Sequence, residues 1–136
     1  MPTRQSFPLK IVSPNKVVMD AQVRTVEVPG AEGDFGVLKG HAPFFSMLRP
    51  GVIRTTHASA GSQNFFATSG FADVTPEGCT IISEHIQDLN EISPETAKEA
   101  LKNAERDVKE AENEDERLAA EKRVFAAKEL IASIRA

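Results

Sequence analysis

Residues 28–54 form a stretch, VPGAEGDFGVLKGHAPFFSMLRPGVIR, that holds five of the eight glycines and three of the eight prolines of the chain. Glycine in the interior of a helix or strand is entropically costly, and proline lacks a backbone donor. The stretch therefore excludes a helix and a long uninterrupted strand, and it predicts tight turns between short strands. We expect its apolar residues to be buried between the turns: Phe35, Val37, Leu38, Phe44, Phe45, Met47 and Leu48.

A cluster of polar side chains is set among these turns: Glu32, Asp34, Lys39 and His41. A phosphate cradle does not fit, because GAEGDFG matches neither the dinucleotide fingerprint nor the P-loop and its two carboxylates would repel phosphate. A catalytic site would need a nucleophile or a metal partner, and the other two histidines, His57 and His85, are isolated. The pattern therefore favours a role with no catalytic residue and no metal ligand: either a docking surface, or turn carboxylates and a solvated histidine that simply decorate a loop.

The overall composition bounds the class of protein. With 136 residues, 40% hydrophobic and 26% charged, the chain suits one globular domain or a small domain with an appendage. A net charge of −4 argues against general binding of nucleic acid. Cys79 is the single cysteine, which excludes an internal disulfide, and we expect it to be a buried small hydrophobe. The opening MPTRQSFPLK lacks an apolar segment, so we expect neither a secretory signal nor a transit peptide.

The composition changes sharply near Glu91. All eight glycines and seven of the eight prolines precede it, whereas 20 of the last 43 residues are Asp, Glu, Lys or Arg. We therefore predict two domains, residues 1–91 and residues 92–136. In the first, short alternating runs separated by turn signals predict an antiparallel all-β sandwich or barrel. The predicted strands include 7–11, 17–28, the pair 52–58 and 64–74, and 79–84.

The second domain is predicted to be helical. Ser93 can cap a helix, Pro94 suits its first position, and Glu95 complements the helix dipole. Two narrow apolar seams recur at spacings of four and three: Ala97, Leu101, Ala104, Val108 and Ala111, then Ala120, Val124, Ala127, Ile131 and Ile134. The polar segment 112–115 favours a turn and hence an antiparallel hairpin, although one long helix is also compatible with the sequence.

The motifs EGDFGVLKGHAP, LRPG and SGFADV, followed by a two-helix tail after DLNEI, closely resemble the epsilon subunit of bacterial and chloroplast F-type ATP synthases. The resemblance covers essentially the whole chain. It implies a β-sandwich of about ten strands, followed by a C-terminal helical hairpin. It also implies a non-catalytic subunit of the central stalk that couples rotation of the proton-translocating c-ring to the catalytic head.

The resemblance also implies partners and contact residues. The sandwich would dock on the gamma subunit and on the polar loops of the c-ring, with Asp34 at the position of the family's c-ring carboxylate and His41 and Glu32 nearby. A loop carboxylate at the rim of such an interface would supply steering and specificity. The resemblance implies a peripheral position on the cytoplasmic face of the bacterial inner membrane, reached through the complex.

Two properties of the hairpin follow from the same resemblance. Relatives that bind ATP resemble Ile/Leu-Asp-x-x-Arg-Ala at the start of the first helix, whereas residues 92–97 here are ISPETA and Asn103 stands where a further arginine would help. We therefore expect weak or no binding of ATP and no other cofactor. Inhibition of ATP hydrolysis would use basic residues against acidic segments of the catalytic alpha and beta subunits: Lys122, Arg123, Lys128 and Arg135. Local pairing of these cations with Glu121 and Glu129 on a permanently folded hairpin is the alternative, and the sequence leaves both open.

A hypothesis from another class also remains: a free-standing β-sandwich module that binds a ligand and dimerises through its helical tail. Co-purification separates the two, because a rotor subunit travels with the ATP synthase head and a free module does not.

Overall fold

A computed structural model describes residues 5–59 and 61–135 of the chain. The chain divides between Asp88 and Leu89 into two compact units. Within the described residues, the first unit contains nine strands and the second contains two α-helices. The prediction of an all-β domain followed by two helices is confirmed, with nine strands described where the resemblance implied about ten.

The strands are short, and most are joined by turns: β1 (Phe7–Ser13), β2 (Lys16–Val28), β3 (Phe35–Val37), β4 (Phe44–Met47), β5 (Gly51–His57), β6 (Ser62–Ala67), β7 (Phe71–Thr75), β8 (Gly78–Ile82) and β9 (Ile86–Asp88). They pair in the order β4-β7-β8-β1-β2-β5-β6-β9, and β3 adds to β2. All pairs are antiparallel except β1 with β8. Strands distant in sequence therefore become neighbours, which a local pattern does not specify.

The core of this unit follows from the two-residue period of the strands, which sends alternate side chains to one face. The fully buried large side chains come from seven different strands and form one cluster: Leu9, Ile11, Val23, Val26, Val28, Val37, Ile53, Phe65, Val74 and Ile81. Cys79 is buried with them as predicted, and burial, with a further contribution from Asp73, raises the pKa of its thiol to about 12. The thiol is thus uncharged at neutral pH and packs as a small apolar group.

One predicted strand is wrong in its extent. Residues 64–74 form two strands, β6 and β7, because Gly70 lies between them with a φ of 122°. A backbone in that region is rare for residues with a Cβ and ends the extended run. The two strands separate in the sheet, where β6 pairs with β5 and β7 pairs with β4 and β8.

The second unit opens with a short 3₁₀ turn, Leu89–Glu91, and continues as α1 (Pro94–Glu110) and α2 (Glu114–Arg135). The predicted cap is confirmed, because the Thr96 N–H donates to Ser93 Oγ over 3.1 Å. The turn between the helices is specified by a second cap. Asn113 Oδ1 accepts the Glu116 N–H at 2.8 Å, and the Glu116 carboxylate accepts the Glu112 N–H at 2.9 Å. These bonds satisfy donors at the start of α2 and favour two helices over one.

The predicted seams of small residues are confirmed at their centres. Ala97, Ala104, Ala120 and Ala127 are buried, and the longer side chains of both seams are half-buried. Leu130 is buried as well, although the predicted seam runs through its neighbour Ile131. An ion pair of 3.3 Å between Asp107 and Arg123 joins the two helices.

Candidate docking surfaces

The loop after β2 is tied to the end of β4 by a short ladder of backbone contacts. Gly30 and Leu48 form an isolated β-bridge. On either side of it, the Ala31 N–H donates to the Met47 carbonyl at 2.8 Å and the Arg49 N–H donates to the Pro29 carbonyl at 3.0 Å. The loop is therefore fixed at its base rather than free to move as a surface flap.

Asp34 leaves this base just before β3 and is paired with Arg49. The Arg49 Nη2 donates to the Asp34 carboxylate, and the Arg49 Nη1 lies 3.4 Å from the Pro50 carbonyl oxygen. The next residue, Phe35, packs edge-on against Phe44 with ring centroids 4.9 Å apart and an interplanar angle of 77°. The carboxylate is thus held by a cation, and the residue that follows it in the chain is anchored by ring packing.

The other polar residues of the loop lie on successive turns and do not form one cluster. Glu32 is exposed and has no ion pair within the described part of the chain. His41 is half-buried, and its backbone N–H donates to the Leu38 carbonyl at 3.1 Å. The ring Nδ1 of His41 lies 2.6 Å from the Ala42 carbonyl oxygen. This contact fixes Nδ1 as a donor to that carbonyl. In residues 5–59 and 61–135, no group of three His, Cys, Asp or Glu side chains is placed to hold a metal ion.

The expected burial of the apolar residues in this stretch is wrong for four of them. Leu38 is 61% exposed, Phe44 45%, Phe45 57% and Met47 55%. Only Val37 and Leu48 are buried, and Phe35 is half-buried. For the three residues on β4, the physical reason is the position of this strand at the end of the strand order, where β7 is the one strand paired with it among the described residues. A side chain on such an edge strand has no neighbouring strand on its other side to cover it. Leu38 follows the end of β3 and lies in no strand.

Met47 is also the first member of an apolar row that crosses five strands on the outer face of the sheet. The pairing register places Met47 opposite Phe71, Phe71 opposite Ile82, Ile82 opposite Val12, and Val12 opposite Val17. Directly paired residues point to the same face, so their side chains lie side by side. All five are exposed or half-buried, and none belongs to the core cluster. We call these five residues the apolar row.

The surroundings of the apolar row resemble the rim of an interface. The Phe45 ring lies 5.2 Å from the Phe71 ring and extends the row at its edge. Phe45 also begins a second row of directly paired residues, which runs beside the apolar row across the same strands. The residues that follow Phe45 in this second row are polar: Asp73, Thr80, Lys10 and Asp20. Across β2, β5 and β6, by contrast, an exposed line is polar, with Glu27 opposite Arg54 and Arg54 opposite Asn64. An apolar centre with a polar rim is typical of a surface that binds another protein.

The sequence carries a signal for this row in three apolar doublets. Consecutive apolar residues occur at Ile11-Val12, Val17-Val18 and Ile81-Ile82. Because neighbouring residues of a strand point to opposite faces, each doublet places one side chain on the core and one on the outer surface.

The four cations predicted on the last helix have different surroundings. Lys122 and Lys128 are exposed and form no ion pair among the residues described. Arg123 pairs with Asp107 of α1, and the side chain of Arg135 lies outside the described part of the chain. Glu121 binds Arg117 at 2.6 Å instead of one of these cations. Close to Lys122, Leu118 and Phe125 are exposed to 46% and 49%.

Three features define the class of this protein: an apolar row on one face, a polar loop fixed at its base, and a helical hairpin. They are those of a β-sandwich protein that docks on other proteins. Residues 6–88 match the family model described as the β-sandwich domain of the ATP synthase delta/epsilon chain. The chain is 38% identical over 120 residues to the ATP synthase epsilon chain of Parvibaculum lavamentivorans, covering 88% of this chain and 91% of that one. It is 33% identical over 117 residues to the epsilon chain of Brucella anthropi, covering 86% and 87% of the two chains. The chain belongs to the ATP synthase delta/epsilon chain family.

Solved structures show the same fold. A chain of the mitochondrial ATP synthase of Euglena gracilis superposes with a TM-score of 0.84 at 22% identity, covering 98% of this chain and 84% of that one. A chain from the central stalk and c-ring of the Tetrahymena thermophila enzyme gives a TM-score of 0.72 at 16% identity, covering 97% and 98%. No helix among the residues described is both long and apolar enough to cross a membrane.

Proposed function

We propose that this chain is the non-catalytic epsilon subunit of the central stalk of a rotary, proton-translocating ATP synthase. The apolar row docks on the gamma subunit, and the loop that contains Glu32, Asp34 and His41 faces the polar loops of the c-ring. The chain thereby joins the rotating ring to the shaft that drives the catalytic head. It is held at the cytoplasmic face of the bacterial inner membrane as a peripheral subunit, through its partners.

The apolar row is the observation that carries this proposal. Burying exposed apolar side chains is worth about 25 cal/mol per Å². A row of five such side chains across a rigid sheet supplies the centre of an interface without any further folding. A ligand-binding module would use a concave apolar pocket instead. The row is a shallow line across a sheet, a shape that suits a second protein surface.

The loop supports the second contact, on the c-ring side. Its backbone ladder fixes the positions of Glu32 and Asp34, and both side chains are exposed. Fixed carboxylates at the rim of an interface raise the rate of encounter and select partners with donors or cations. ATP itself is not part of this proposal, because Ser93 and Thr96 are occupied in capping α1, with their hydroxyl oxygens 2.7 Å apart.

Co-purification tests the proposal directly. When the tagged full-length chain is isolated from detergent-solubilised membranes of its own source, we expect the subunits of the ATP synthase head and the c-ring to accompany it in fixed proportion. The control is the same tag on an unrelated chain of similar size. A tagged chain that runs alone or as a homodimer would favour the ligand-binding module instead.

A restraint on ATP hydrolysis by the hairpin is a second proposal, favoured by the exposed cations of α2. Lys122 and Lys128 have no ion pair within the described residues and flank Phe125, so an acidic partner could be bound by charge and by apolar contact together. Deleting residues 92–136 should then raise the ATPase rate of the assembled enzyme by about threefold or more. A rate equal to that of the enzyme with the full chain would remove the inhibitory role. The matched control is the double variant Lys98→Gln and Lys102→Gln, which removes two cations from α1 and should leave the rate unchanged.

A further inference from the structure

We propose that Arg49 is a positioning residue for the docking loop: it holds the Asp34 carboxylate in place and neutralises it, so that the partner offers Asp34 a neutral hydrogen-bond donor. This inference rests on the proposed function, because it describes the chemistry of the same loop. It assigns a role to a residue outside the loop, 15 positions further along the chain.

The backbone of Arg49 is fixed by the ladder at the base of the loop. Its N–H donates to the Pro29 carbonyl at 3.0 Å, next to the bridge between Gly30 and Leu48. The side chain of Arg49 therefore starts from a fixed point at the base of the loop. The fixed backbone also limits the directions in which the side chain can extend.

The side chain of Arg49 then spans two separate groups. One guanidinium nitrogen approaches the Pro50 carbonyl at 3.4 Å while the other donates to the Asp34 carboxylate. The planar guanidinium carries several donors in a rigid fork and can hold both, whereas the single ammonium group of lysine cannot reproduce this geometry. Gly51 lies beside this group, where a Cβ would be 3.5 Å from the Arg49 Nη1, an ordinary contact, but only 2.8 Å from the Pro29 Cβ.

The two partners of the ion pair differ in exposure, and this difference sets the chemistry. The Asp34 side chain is 69% exposed and that of Arg49 is 36% exposed, so the carboxylate is the more accessible member. Arg49 contacts Oδ1, and the other carboxylate oxygen can accept a further bond. A second cation would be repelled by the guanidinium already present, while an amide or hydroxyl donor would not. Glu32, which has no such partner among the described residues, is the carboxylate of the loop that would attract a cation.

The test measures binding of the full chain to ATP synthase complexes stripped of this subunit, with Arg49→Gln, Asp34→Asn and the double variant compared. Each single variant should weaken binding by about tenfold, and the double variant should be no more than about threefold weaker than either, because both changes break one unit. Arg49→Lys should recover only part of the loss. The matched control is Arg54→Gln, which removes an exposed arginine opposite Glu27 on the polar outer face and should leave binding unchanged.

Two further measurements test the inference. Raising the salt concentration should weaken binding of the unchanged chain and binding of Asp34→Asn to the same degree. Binding of Glu32→Gln should depend less on salt, because Glu32 is the carboxylate expected to meet a cation. The unfolding midpoints of Arg49→Gln and Arg54→Gln should agree within about 4 °C, which separates positioning from simple destabilisation. Binding of Arg49→Gln within twofold of the unchanged chain, or strict additivity in the double variant, would overturn the inference. A failure of the unchanged chain to bind would instead count against the proposed function.

Discussion

Replacing Gly70 with alanine is expected to lower the free energy of unfolding of the sandwich unit by about 4 kcal/mol. Gly70 has a φ of 122°, a region that residues with a Cβ rarely adopt. An added Cβ would lie 2.0 Å from the Ile82 carbonyl oxygen and 2.9 Å from the Ser83 Cα. Both are backbone atoms, so β8 would have to move. The Gly70 carbonyl also accepts the Leu48 N–H at 2.9 Å, and a shift of the turn would weaken that bond as well.

The matched control for Gly70→Ala is Gly36→Ala. Gly36 lies in β3 with an ordinary backbone conformation, and an added Cβ would meet no atom within 4 Å. The free energy of unfolding of Gly36→Ala should differ from that of the unchanged chain by less than about 1 kcal/mol. The chain contains neither tryptophan nor tyrosine, so urea unfolding is best followed by the methyl resonances of core residues such as Leu9 and Ile81. Equal stability of the two variants would show that the turn at Gly70 can relax, contrary to this expectation.

Charging the apolar row is expected to have the largest effect on assembly. In the double variant Met47→Asp and Ile82→Asp, binding to ATP synthase complexes stripped of this subunit should fall by at least about 100-fold, or about 2.7 kcal/mol. Both side chains are more than a third exposed in the isolated chain, at 55% and 37%, so the fold should tolerate the change. Two carboxylates placed in the centre of an apolar interface would lose their hydration without gaining partners.

The control for the charged row carries the same two charges on the polar outer face, as Thr56→Asp and Asn64→Asp. These residues lie on β5 and β6, away from the apolar row in the strand order. Binding of this variant should stay within about threefold of the unchanged chain, the size of a weak long-range charge effect. Equal losses in the two variants would indicate a general effect of negative charge, and the row would then not be the docking surface.

Some features of the candidate sites could be predicted from the sequence and others could not. The difference is how far apart in sequence the contacting residues lie. The glycine-rich loop was predicted to be a docking element from its family motif, and its turns were predicted from local residues. Its partner Arg49 was not, since nothing in a linear pattern connects two side chains 15 residues apart. The exposure of Phe44, Phe45 and Met47 was missed for a related reason. An apolar doublet in a strand shows that both faces are apolar, but it does not show which face is covered.

What the sequence by itself determined is the division of the chain and the character of its two parts. Three signals carry this information: the loss of glycine and proline near Glu91, the cap at Ser93, and the two alanine seams. Each signal acts between residues that are close in sequence, so backbone sterics and local hydrogen bonds determine the secondary structure there. The tertiary structure decided the rest: that β4 lies at an edge, that five apolar side chains line up across five strands, and that Arg49 restrains Asp34. These depend on which strands pair and in what register, and that choice is made by burial of the whole core.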